Sequence, residues 1–118
     1  MAIDHVVVRT PDLPRTLAAL EAIGLDLRRV REVGGDLRQA FYVVGGAVLE
    51  VVGPERPAGT GPARFWGLVA AVADLDAACA RLGELVEPPR DAVQPGRRIA
   101  VVRREAGLGT AFALMSPR

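Results

Sequence analysis

The chain contains no lysine: all fifteen of its basic side chains are arginine. Covalent catalysis through a lysine Schiff base is therefore excluded. Cysteine is nearly absent as well, and Cys79 alone allows neither an internal disulfide nor a cysteine-rich zinc cluster. Its setting, LDAACARLG, reads as the packed face of a helix, where a thiol behaves as a small apolar group. An excess of one charge is also missing. Fifteen arginines against fourteen acidic residues leave a formal net charge of +1, without the basic surplus that draws a protein to nucleic acid or to an anionic membrane. Neither partner is expected. No apolar run reaches the ~18 residues of a membrane span, and MAIDHVVVRTPDL lacks the basic start and long apolar core of a secretory leader. A cytoplasmic location is the expectation.

What is present is an ordinary globular composition, half apolar and a quarter charged, in 118 residues. That length suits one domain, 1–118, with a real core. Residues 3–8, rich in β-branched side chains, read as a strand, and TPDLPRTLAALEAIGL follows with a turn and then Leu13, Leu17 and Leu20 on one helical face. LDLRRVREV, DLRQAFYVV and AVLEVVG read as three strands, broken by hairpin turns at Gly34-Gly35 and Gly45-Gly46. Beyond the Pro/Gly-rich GPERPAGTGPA the same order recurs in RFWGLVAAV, ADLDAACARLGEL, VEPPRDAV, RRIAVVRRE and TAFALMS. Asp12-Leu13 matches Asp74-Leu75 and Leu20 matches Leu82 at an offset of 62, whereas Pro54 matches Pro117 at 63. The chain reads as a βαβββ module written twice, with module one at 1–53, a linker at 54–63 and module two at 64–118.

A duplicated βαβββ unit with Asp-His in the first strand, PDL or ADLD opening the helix and LEVVGP closing the first module resembles the vicinal oxygen chelate superfamily. Glyoxalase I, extradiol dioxygenases and the fosfomycin- and bleomycin-resistance proteins belong to it. The resemblance implies an α+β fold in which paired modules curve a mixed sheet into a cup with the helices outside, and it implies a homodimer. It also implies a divalent metal held from the first and last strands of each module. His5 falls on the first ligand position and Glu50 on the second. Their repeat mates are Gly67 and Ala113, which bring no ligand, so two of the four positions are filled.

The residues support the same pair independently. His5, the only histidine, shares a strand face with Ile3, Val7 and Arg9, while Glu50 shares one with Val48 and Val52. An ionised carboxylate on an apolar face is costly unless paired, hydrogen-bonded or bound to a cation. Three partners are open to Glu50: His5 directly, a metal shared with His5, or an arginine such as Arg38 or Arg9. Gly67 reads either as a point of close strand packing or as extra cup volume. In DAVQPGRRIAVVRRE, alternation sends Arg98 and Arg104 to one face and Arg97 and Arg103 to the other, so that Arg98 is a candidate to meet an anionic ligand. Of Phe65 and Trp66, one is expected beneath the helix. No Ser-His-Asp or Cys-His arrangement emerges, since the repeat puts neither Ser116 nor Cys79 near His5.

The expected function is that of a glyoxalase-like protein that binds a small organic molecule and is non-catalytic or only weakly catalytic. His5, Glu50, Gly67, Ala113 and Arg98 are the expected ligand-binding residues, and the cofactor is unknown. The alternative is a metal-dependent lyase, isomerase or dioxygenase in which His5 and Glu50 are metal ligands and Glu50 is the catalytic residue.

Overall fold

The computed structural model describes residues 1–118, and the chain divides into two compact units. One is His5–Trp66; the other joins Met1–Asp4 to Gly67–Arg118. The first module contains β1 (Ala2–Arg9), α1 (Leu13–Ala22), β2 (Leu27–Gly34), β3 (Leu37–Val44) and β4 (Ala47–Pro54). The second contains β5 (Arg64–Ala71), α2 (Leu75–Leu82), β6 (Arg90–Asp91), β7 (Arg98–Val101) and β8 (Ala111–Met115). The fold class is thus α+β, with two βαβββ modules in tandem. Strand order is β2-β3-β4-β1 in the first module and β5-β8-β7-β6 in the second. Each is mixed, because β1 pairs with β4 and β5 with β8 in parallel while the remaining pairs are antiparallel.

Local chemistry explains the first module. The β-branched run Val6–Val8 favours an extended chain. Asp12 then caps α1, its carboxylate accepting from the Arg15 N–H at 3.1 Å, with Pro14 in the first turn where no intrahelical donor is lost. Gly45, at φ 60°, makes the tight reversal between β3 and β4 that a side chain would strain. The face covered by α1 holds the core: Leu13, Ala40, Tyr42 and Val51 are buried there, with Leu17, Leu20 and Leu49 packed against them. Alternation therefore leaves Gln39, Phe41 and Glu50 on the uncovered face.

The second module repeats these steps. Asp74 caps α2 by accepting from the Ala77 N–H at 3.0 Å, and Leu75 takes the place of Leu13, the two being 4% and 3% exposed. Ala70, Val72, Val86, Ala100 and Leu114 complete the core under α2, with Cys79 packed against it. Expected strands are shorter here, and of VEPPRDAV only Arg90–Asp91 form one. The strand read across RRIAVVRRE stops at Val101, and Arg104–Ala106 form a 3-10 turn closed by Gly107 at φ 75°. Arg103 and Arg104 therefore lie beyond the strand, and the alternation expected to pair Arg98 with Arg104 is interrupted. Arg97 precedes the strand and is buried.

Candidate functional site

The ladders of the first module fix which side chains share the uncovered face. Across β1 and β4, His5 is opposite Val48, Val7 opposite Glu50, and Arg9 opposite Val52. Across β4 and β3, Val48 meets Val43, Glu50 meets Phe41 and Val52 meets Gln39. Across β3 and β2, Phe41 meets Arg29 and Gln39 meets Arg31. Paired residues project to the same side of a sheet. The face therefore carries three rows: Val43, Val48, His5; then Arg29, Phe41, Glu50, Val7; then Arg31, Gln39, Val52, Arg9. His5 and Glu50 are diagonal neighbours in it, as expected from the sequence.

Glu50 is half-buried. Burial raises its carboxyl above the ordinary range, and the nearby charges of His5 and then Arg31 partly offset that rise. Its direct partner is not an arginine. The Gln39 amide Nε2 donates to Glu50 Oε1 at 2.8 Å, whereas Arg38 turns to Glu55 and Glu32, at 3.1 and 3.4 Å. Arg9 lies over the Trp66 ring at 4.0 Å, and Arg29 over Phe41 at 5.7 Å. Trp66 is thereby a partner of Arg9, half exposed, and Phe65 is 79% exposed; neither packs beneath a helix. Gln39 was missed by sequence reasoning. The signal available was its alternation with Phe41 in LRQAFYVV, which puts a polar residue on the same face as an aromatic one.

The repeat carries this geometry into the second module with other side chains. Gly67 is opposite Ala111 and Val69 opposite Ala113. The offsets of 62 and 63 thus map the His5–Val48 pair onto Gly67–Ala111 and the Val7–Glu50 pair onto Val69–Ala113. The resulting face is apolar: Val69, Ala113 and Met115 are buried, with Ile99 and Val101 packed against them. A Cβ at Gly67 would stand 3.1 Å from Ala111 Cβ and 3.2 Å from its carbonyl oxygen. Close strand packing accounts for this glycine. Arg98 shares the helix side with Ala100, and its guanidinium holds Asp76 of α2 through two hydrogen bonds of 3.1 Å. The side-chain hydrogen bonds of Arg98 are thus made to the helix of its own module.

The donor set does not fit a metal of the kind the family resemblance implies. His5 and Glu50 offer two donors, their ladder equivalents Gly67 and Ala113 offer none, and no group of three or more His, Cys, Asp or Glu side chains gathers anywhere in the chain. Catalytic metals normally take three protein ligands. What the face does offer is a half-buried carboxylate, an imidazole, an amide and three guanidiniums, groups able to hydrogen-bond polar organic molecules.

Comparison with known proteins agrees with this architecture. The family model described as the Glyoxalase/Bleomycin resistance protein/Dioxygenase superfamily matches residues 2–107. No functionally curated protein matches the chain significantly. Among solved structures, methylmalonyl-CoA epimerase from Mycobacterium tuberculosis superposes with a TM-score of 0.72 at 22% identity, covering 99% of this chain and 88% of that one. Streptomyces coelicolor methylmalonyl-CoA epimerase in complex with 2-nitronate-propionyl-CoA gives 0.71 at 22% identity, covering 98% and 94%. A hypothetical protein from Bacillus halodurans C-125 gives 0.73 at 12% identity, again covering 98% and 94%. At these identities the likeness is one of fold.

Proposed function

The chain belongs to the glyoxalase, bleomycin resistance protein and dioxygenase superfamily, and from that premise we propose that it binds a small organic molecule on the module-one face bearing His5 and Glu50. One observation carries this reading: the sole histidine and a half-buried carboxylate occupy adjacent strands on the face that α1 leaves uncovered. A sheet face kept for structure alone would gain by replacing both with apolar residues. Gly67 and Ala113 enter the proposal only as the apolar counterparts of this pair, and Arg98 does not enter it. A cytoplasmic location and a homodimer are part of the same reading. No helix is long and apolar enough to cross a membrane.

The test is a ligand screen read by amide chemical shifts in the intact protein. Saturable shifts centred on His5, Glu50 and Gln39, lost in His5→Ala and Glu50→Gln, are expected. Shifts that map onto the α1 face or the second module would sink the assignment.

A metal-dependent lyase, isomerase or dioxygenase at the same pair would need donors that this face does not hold. A second reading without metal, an enzyme in which Glu50 exchanges a proton with its ligand, draws on one observation. Burial keeps the Glu50 carboxyl above the ordinary range, the adjustment expected of a general acid or base. Once a ligand is known, Glu50→Gln separates the two readings: turnover lost with binding retained identifies an enzyme, and no turnover in wild type identifies a binding protein.

A further inference from the structure

The Gln39 side chain is only half satisfied. Its Nε2 is spent on Glu50, but its Oε1 is buried without any hydrogen-bond partner. A buried acceptor left in this state is destabilising unless a donor comes to it. Its neighbours narrow down the donor's owner. Arg31, exposed and directly opposite Gln39 in the ladder, shares its face, and the field of Arg31 reaches Glu50. Three guanidiniums, those of Arg9, Arg29 and Arg31, stand in the rows around a single carboxylate, so the face as a whole favours an anion. Arg9 and Arg29 lie over aromatic rings. Arg31 is the one left to reach a ligand beside Gln39.

We propose that Gln39 is a ligand-binding residue, and that the face takes a small organic acid whose carboxylate meets Arg31 while a hydroxyl or ammonium group a few bonds away donates to Gln39 Oε1. The proposal rests on the reading of this face as the ligand site and adds the chemical class. Neighbouring strands are about 5 Å apart, so the anion and the donor must belong to a compact molecule. Glu50, with one oxygen already accepting from Gln39, adds a second acceptor beside Oε1. An ammonium donor would use both acceptors, whereas a hydroxyl would use Oε1 alone. An acid without a donor leaves Oε1 as unsatisfied as it was.

Lactate, alanine and propionate present the same three-carbon acid with a hydroxyl, an ammonium or neither, and the wild-type protein is titrated with each by amide chemical shift. Lactate or alanine is expected to saturate resonances of Arg31, Gln39 and Glu50, with propionate about tenfold weaker. The better of the first two identifies the donor. Gln39→Leu should bring the favoured acid down to the level of propionate, and Arg31→Gln should weaken all three. Circular dichroism confirms that both variants fold, and the wild-type comparison stands without them. Propionate binding as tightly as the other two, or discrimination surviving in Gln39→Leu, overturns the role of Gln39. If no acid binds while other screened molecules still shift the His5 and Glu50 resonances, the chemical class is wrong and the site stands. If the acids bind elsewhere in the chain, both fall.

Discussion

Asp4 and Arg97, 93 residues apart, form a two-pronged ion pair, with Arg97 Nη2 to Asp4 Oδ1 at 2.9 Å and Nη1 to Oδ2 at 3.3 Å. Both side chains are almost wholly buried, at 4% and 5% exposure. The rest of the guanidinium is used too, donating to the Ser116 carbonyl and to Gln94 Oε1. Arg118 approaches the same carboxylate at 3.4 Å. The pair ties the first four residues to the segment that closes the second module.

Breaking it should be expensive. Arg97→Met takes both of these hydrogen bonds from a carboxylate that is only 4% exposed, and the expected loss is about 3–5 kcal/mol by urea unfolding. Removing both charges with Asp4→Leu in the Arg97→Met background should restore part of that loss, because no unpaired ion remains. A single variant as stable as wild type would show that the pair adds nothing.

Glu50 predicts a stability change that depends on pH. Its folded carboxyl binds a proton more tightly than the unfolded one, since burial raises it. The cost of ionising it in the fold is therefore absent below the unfolded value and fully present once pH exceeds the folded value. Glu50→Gln keeps an acceptor for Gln39 and cannot ionise. It should match wild type in acid and become relatively more stable as pH rises through the Glu50 transition towards neutrality. Thermal midpoints measured across that window check the sign, and a gap that widens as pH falls would reverse it.

Gly67 makes the opposite kind of claim, a packing one. With Ala111 Cβ 3.1 Å from where its own Cβ would lie, Gly67→Val forces β5 away from β8 and should cost about 1–3 kcal/mol by overpacking. Ala111→Gly, made in the same chain, relieves the contact and should recover much of the loss. Recovery that fails to appear would place the strain elsewhere.

Much of this architecture was legible in the sequence because local chemistry dictates it. Asp12 and Asp74 cap helices wherever the chain leads them, glycine pairs mark hairpins, and period-two alternation puts Glu50 on one face with Val48 and Val52. The two repeat offsets even anticipated the strand registers that align His5 with Gly67 and Glu50 with Ala113. What could not be read was pairing over long range. Nothing in the spacing joins Asp4 to Arg97, and nothing local says that Arg98 finds Asp76 on α2. The alternation expected across DAVQPGRRIAVVRRE breaks for a further reason. A β-branched run predicts a strand but not its end, and here β7 gives way after Val101 to a turn. Gln39 was overlooked because an amide in a strand carries no charge to question, although its alternation with Phe41 placed it correctly.

The electrostatics of the Glu50 neighbourhood can be read directly from the Glu50 side-chain carbon by NMR titration. Burial is the largest influence and raises the carboxyl; His5 and then Arg31 pull it back down. Removing a cation that favours the charged carboxylate must raise its titration midpoint, so His5→Ala and Arg31→Gln should each move the midpoint upward, the former further. Gln39→Leu should also move it upward, because the ionised carboxylate loses the N–H donor held at 2.8 Å. All three are expected to leave the fold intact, since none of these side chains belongs to the core under α1. A midpoint that stays fixed in His5→Ala would mean that the imidazole does not act on Glu50, and the two residues would then have no claim to form one site.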